Sequence, residues 1–364
     1  MKITDVKALA VRFPLEEPIQ DSAHDLSRWE LVVVLIHTDE GITGSGFNSG
    51  IQGGAEVMVT AINKMIAPDL LGKDPFQVRG LWEEMYWRTQ GMGRLGITRL
   101  AMAAVEIALW DIMSKALNVP LWKLLGGTGR DRIPLYNTDA GWLSFSQDAM
   151  IEKMKRLLGA GFHGVKMKIG SSNPAADIQR VAAVRHALGP EVRLMVDVNC
   201  RWDLPTALRW GPELEPYNID WLEEPLNPHD VKGHATLQAA MSTPLLVGES
   251  ISSLTLWRDY LEQRACGLVQ PDVTRLGGIT RWMDVASLAR ANDMGVVPAC
   301  WDCMQVSIHL AAACPECHLM EHLNLALNVF EERLVIEKGW LRVPQGPGIG
   351  TTVRADIIER YRVD

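Results

Sequence analysis

The sequence predicts an α/β protein: a barrel of alternating strands and helices, behind an N-terminal segment of mixed α and β character. Three observations predict it. From about residue 131, short apolar runs alternate with helix-like runs, and the alternation persists over about 200 residues. Acidic residues recur at the C-terminal ends of those apolar runs. The first ~125 residues do not share the alternation.

In the leading segment, "ELVVVLIHTDEGITGSG", from Glu30 to Gly46, reads as a strand and hairpin. "ITRLAMAAVEIALWDIMSKALN", from Ile97 to Asn118, reads as a long, largely buried helix that halts before Pro120. The strand runs then begin with "PLYNTDA" at Pro134, "GVKMKIG" at Gly164, "VRLMVDVN" at Val192 and "IDWLEEP" at Ile219. They continue with "PLLVGES" at Pro244, "GLVQPDV" at Gly267, "GVVPAC" at Gly295 and "HLMEHL" at His318. Helical patterns such as "AADIQRVAAVRHAL" and "GITRWMDVASLARAND" lie between them. Eight such units imply a closed parallel barrel. A doubly wound sheet is the alternative, but no Gly-rich phosphate loop follows the first strand.

The 364 residues are 47% hydrophobic and 22% charged, as in globular proteins, and the formal net charge is −8. An acidic chain argues against nucleic acid or an anionic membrane as partner. The N-terminus, "MKITDVKALAVRFPLEEP", lacks an apolar signal core, and no run has the ~18 apolar residues of a membrane span. We expect a cytoplasmic protein, a homo-oligomer acting on a small molecule. The six cysteines do not suggest a disulfide scaffold. Cys300 and Cys303, and Cys314 and Cys317, form two C-x-x-C pairs. The helical stretch between them would hold the pairs roughly 15 Å apart. We therefore expect core thiols rather than a zinc site.

"GVKMKIG" carries Lys166 and Lys168 two positions apart, so both face one side of a strand. At the neighbouring strand ends stand Asp197, Glu223 and Glu249, spaced 26 residues apart each time, one βα unit per step. They should converge at one rim of the barrel mouth. Three convergent carboxylates need a counter-charge, and an all-oxygen set suits Mg2+. A bound cation, and each lysine beside the other, should lower an ammonium pKa toward neutrality and make a base.

These residues carry a resemblance. "VEIALWDIMSKALNVPLWKLLGG", "VKMKIG", "VDVN", "WLEEP", "VGES", "QPDVTRLGGIT" and "VPQGPGIG" resemble the enolase superfamily, in particular its mandelate racemase-like subgroup. The resemblance implies a modified TIM barrel of (β/α)7β type under an N-terminal α+β capping domain. We place the boundaries at residues 1–128 for the cap and 129–340 for the barrel, with a tail of residues 341–364 packing back on the cap. It implies Mg2+-assisted removal of the proton α to a carboxylate. Asp197, Glu223 and Glu249 match the metal ligands, and Lys168 matches the base. Lys166 matches the lysine that contacts the substrate carboxylate, Glu321 the acid on its other oxygen, and Asn199 a polar residue facing substrate. Asp272 matches an aspartate that orients a second base, a histidine on the seventh strand. That histidine is missing: the strand ends "PACWDC", with Ala299, Cys300 and Trp301 at the position.

A one-faced reaction is therefore expected, first the dehydration of an acid sugar to a 2-keto-3-deoxy acid. The alternatives are a cycloisomerase acting on a sugar-acid lactone or anhydro sugar acid, or a racemase or epimerase of a carboxylic acid. Asp302 is weighed as a leaving-group acid against a plain helix N-terminal carboxylate, and His309 is expected to pack in its helix. Substrate contacts are expected from the capping loop "QDSAHDLSRW", with His24 and Arg28, and from Trp142 and Trp301 as pocket walls.

Overall fold

The computed structural model describes residues 1–50 and 53–363. The chain opens with three antiparallel strands: β1 (Ile3–Gln20), β2 (Asp25–Thr38) and β3 (Thr43–Ser49). The β-branched run Val32–Val33–Val34 supplies the centre of β2, fully buried. Helix Ile97–Ala116 lies across this sheet. Glycines let it approach: a Cβ on Gly46 would stand 2.0 Å from the carbonyl oxygen of Ala104.

Eight parallel strands follow: β4 (Arg132–Asn137), β5 (Val165–Lys168), β6 (Leu194–Asp197), β7 (Leu222–Glu223), β8 (Leu245–Val247), β9 (Leu268–Val269), β10 (Gly295–Val296) and β11 (Met320–His322). Each pairs with the next from β4 to β10, and β11 returns to β4 with Glu321 opposite Tyr136. The amide of Val296 donates to the carbonyl of Glu316 at 3.2 Å, which closes the ring. Side-chain caps start five of the intervening helices: Ser146, Asn173, Asp203, Asp230 and Ser253 each accept an amide bond three residues on. Such a cap contributes about 1 kcal/mol.

After β11 the chain forms a hairpin, β12 (Ile336–Glu337) and β13 (Trp340–Arg342), and β13 pairs antiparallel with β4. The last described residues form β14 (Arg362–Val363) on β1, with Ala10 opposite Val363. Among the described residues no helix is long and apolar enough to cross a membrane.

Inside the barrel, Tyr136, Met195, Trp221, Leu246, Val297 and Leu319 form a buried plug. Cys300, Cys303, Cys314 and Cys317 are buried free thiols flanking helix Met304–Ala313. Burial pushes the Cys314 thiol up to about 12, so these groups stay protonated.

Candidate active site

Above the plug, the strand ends gather charge. On β5, Val165, Met167 and Ile169 pack into the layer under the helices, so Lys166 and Lys168 face the interior. The two lysines are 1% and 2% exposed. Register places Lys168 beside Asp197, and Asp197 beside Glu223, across three adjacent strands.

The lysine ammoniums sit among carboxylates. Lys168 Nζ donates to Asp197 Oδ2 at 2.5 Å. Lys166 Nζ reaches Glu223 Oε1 at 2.7 Å, Glu321 Oε1 at 2.8 Å and Asp197 Oδ2 at 3.7 Å. Thr138 Oγ1 donates to the same oxygen of Glu321 at 2.5 Å. Trp221 Nε1 and Gln270 Nε2 each donate to Glu223 at 3.1 Å. Glu249 accepts from Trp301 Nε1 at 2.9 Å and from Asn199 Nδ2 at 3.5 Å. Asn199 itself stands at φ +49, and its Oδ1 is buried without a partner among the described residues.

There is more negative charge here than the lysines neutralise. Burial, reinforced by Asp197, pushes the Glu223 carboxyl up to about 8. Burial, with Glu224 and Asp197, pushes Glu249 well above the carboxylate range. Burial opposes ionisation of Asp197 too, but Lys168 and Lys166 outweigh it and hold that carboxyl low. Among the described residues no three His, Cys, Asp or Glu side chains close a metal cage: Asp197 and Glu223 turn toward the lysines, and Glu249 toward Trp301 and Asn199. The donor set nevertheless fits a hard divalent cation: three carboxylates from β6, β7 and the end of β8, two of them short of positive charge, beside an unpartnered amide oxygen.

With no cation between them, burial would lower both lysines and Lys166 lowers Lys168, but the carboxylates around them outweigh this and raise Lys166 and Lys168 above the ordinary lysine value. The expected depression needs a cation to draw those carboxylates away.

Trp142 and Trp301 both reach the site, with Lys168 Nζ 5.6 Å and 5.8 Å from their rings. His24 meets Trp301 edge-on, ring centroids 5.6 Å apart. Arg28 does not join them. The loop between β1 and β2 is shorter than expected, and Arg28 already lies on β2 opposite Pro14. Alternation along that strand turns Trp29 inward and leaves Arg28 exposed.

Asp272 is buried, with Oδ1 taking bonds from the amide and hydroxyl of Thr274, each at 2.6 Å, so it holds its own turn. Asp302 is no helix cap, since helix Met304–Ala313 begins without a side-chain cap. Its Oδ2 accepts from Trp29 Nε1 at 3.0 Å, and burial pushes its carboxyl up to about 7. His309 packs in its helix: Nδ1 accepts from the Trp122 amide at 3.2 Å, and Nε2 lies 3.1 Å from the Ile349 carbonyl.

Sequence reasoning missed Trp29, Asp21, Trp221, Gln270 and Thr138. The indole of Trp29 stacks on Trp301 at 6.0 Å and 16°. Gln270 and Thr138 sit at strand ends, where a polar residue on an inward position is the available signal.

Comparison with known proteins agrees with this geometry. Residues 3–126 match the N-terminal domain of the mandelate racemase / muconate lactonizing enzyme family. Residues 149–357 match the enolase C-terminal domain-like family. The chain is 34% identical to L-talarate/galactarate dehydratase of Salmonella typhimurium over 97% of its length and 89% of that protein's. It is 32% identical to 3,6-anhydro-alpha-L-galactonate cycloisomerase of Streptomyces coelicolor, over 99% of both chains. The crystal structure of the Salmonella dehydratase, liganded with Mg and L-lyxarohydroxamate, superposes with a TM-score of 0.93 at 32% identity, covering 100% of this chain and 93% of that one. With both of its domains matched, the chain belongs to the mandelate racemase/muconate lactonizing enzyme family of the enolase superfamily.

Proposed function

We propose that the protein is a Mg2+-dependent lyase that removes the proton α to a carboxylate and dehydrates an acid sugar to a 2-keto-3-deoxy acid. The observation that carries this reading is the buried cluster of Lys168, Lys166, Asp197, Glu223 and Glu321 at the barrel mouth. Asp197, Glu223 and Glu249 would hold the metal. When bound, the ion supplies positive charge to an enediolate and engages carboxylates that otherwise keep the lysines protonated.

In this reading the chain's own groups do the rest. Lys168 takes the α-proton from one face. Lys166 and Glu321, 2.8 Å apart, hold the substrate carboxylate and orient it. Asn199 presents an unengaged amide oxygen to a substrate hydroxyl. Trp142 and Trp301 wall the lysine and keep water from it. Acid-sugar dehydratases and sugar-acid cycloisomerases both stand among the relatives.

The test is a screen of mono- and diacid sugars with Mg2+, read by semicarbazide for the 2-keto-3-deoxy product. Cycloisomerisation is the second reading. It is favoured by the indole of Trp301 where a second base would stand, since ring opening by elimination also needs one base face. It conserves mass, whereas dehydration loses one water, so mass spectrometry separates the two. Racemisation needs a proton-transfer group on each face.

We further propose a cytoplasmic homo-oligomer with neither nucleic acid nor membrane as partner. The net charge of −8 supports the second part. Trp87, Met92 and Leu95, at 53%, 72% and 47% exposure, support self-association. Light scattering that returns the monomer mass, 40.4 kDa, would refute the oligomer.

A further inference from the structure

The site has a base but no evident acid. Loss of a β-hydroxyl needs a proton on the departing oxygen, because hydroxide is a poor leaving group. The end of β10, where the family's second base would stand, offers little. Cys300 is fully buried, its Sγ faces the Pro298 carbonyl at 3.5 Å, and burial pushes its thiol well up. Asp302 is 3% exposed and engaged by Trp29. Trp301 gives its N–H to Glu249.

The capping sheet delivers another group to the same place. The β1–β2 loop, residues 21–24, is pinned onto the barrel mouth at two points. Ser22 Oγ donates to the carbonyl of Val198, between Asp197 and Asn199, at 2.7 Å. The amide of Leu143, next to Trp142, donates to the carbonyl of Gln20 at 2.7 Å. Within the loop, buried Asp21 accepts the amides of Ala23 and His24 on Oδ1, each at 2.6 Å. Its Oδ2 lies 3.0 Å from His24 Nδ1. His24 is thus fixed in orientation, with Nδ1 on the carboxylate and Nε2 without a partner among the described residues. Its ring lies against Trp301, the indole that also faces Lys168. A carboxylate that orients an imidazole beside an oxyanion-forming site is a recurrent acid–base arrangement.

We propose that Asp21 and His24 form the acid that protonates the departing β-hydroxyl, in place of a second barrel base. The proposal rests on the dehydratase reading. Lys168 takes the C2 proton, and the C2–H electron pair enters the enediolate. That pair then forms the C2–C3 double bond while the C3–O bond breaks with its electrons on oxygen. The imidazolium Nε2–H supplies the proton, water leaves, and the enol ketonises as C3 is protonated. No oxidant or reductant is needed. His24 is the catalytic residue, and Asp21 positions it.

The test uses the acid sugar that the screen identifies and its 3-deoxy-3-fluoro analogue, whose fluoride departs without a proton. His24→Gln should dehydrate the sugar about 10²–10³-fold more slowly, yet eliminate fluoride within about threefold of wild type. It should also keep α-deuterium exchange, which shows that the fold and Lys168 are intact. Asp21→Asn should show the same split at about tenfold. Dehydration by His24→Gln within about threefold of wild type would overturn the proposal, as would equal loss of water and fluoride elimination. A wild-type enzyme that turns over no acid sugar would instead overturn the reading beneath it.

Discussion

Trp301 Nε1 donates to Glu249 Oε2 at 2.9 Å, so an indole beyond the end of β10 braces one of the carboxylates proposed to hold the metal. The indole is itself braced by Trp29, which stacks on it and binds Asp302. A group that orients a metal ligand typically changes metal affinity 10–100-fold. Trp301→Phe keeps the aromatic wall and removes the donor. We expect its half-saturating Mg2+ concentration to rise about tenfold, measured by titrating the metal against turnover. An unchanged value would detach Glu249 from the metal site.

The clustered carboxylates make a second prediction. EDTA should abolish turnover, and added Mg2+ should restore it. Glu223→Gln removes one charge while nearly keeping shape, and its single amide oxygen can still accept from either Trp221 or Gln270. We expect turnover to fall on the order of 10³-fold, with the fold retained by circular dichroism. Activity equal to wild type in the presence of EDTA would exclude the metal.

His309 supplies a pH dependence of stability. Burial holds its imidazole down to about 4, against an ordinary value of 6.5. The unfolded chain therefore binds a proton between these values that the folded chain refuses. The contribution is complete above pH ~6.5 and is lost as pH falls through ~4. The difference amounts to about 3 kcal/mol. His309→Gln removes the titration, so its melting temperature relative to wild type should improve on going from pH 7 to pH 4.5. A pH-independent difference between the two would contradict the neutral, buried imidazole.

Much of this site is legible in the chain. The strand ends Asp197, Glu223 and Glu249, and the alternation in Val165–Ile169, follow from local periodicity, which strand geometry enforces. What escaped was set by long-range pairing. Trp29 meets Asp302 across 273 residues, and only the β1–β2 register decides that Trp29 rather than Arg28 faces the mouth. Which carboxylates stand nearest each lysine escaped for a related reason. Pairing across β5, β6 and β7 sets which opposite charges lie nearest, and a field cannot be read from spacing alone.

The most direct test of the account is deuterium incorporation at the α-carbon of an acid sugar in D2O with Mg2+. The account predicts exchange by the wild-type enzyme and a loss of about 10³-fold or more in Lys168→Ala, with His24→Gln still competent. Exchange by Lys168→Ala at the wild-type rate would contradict it.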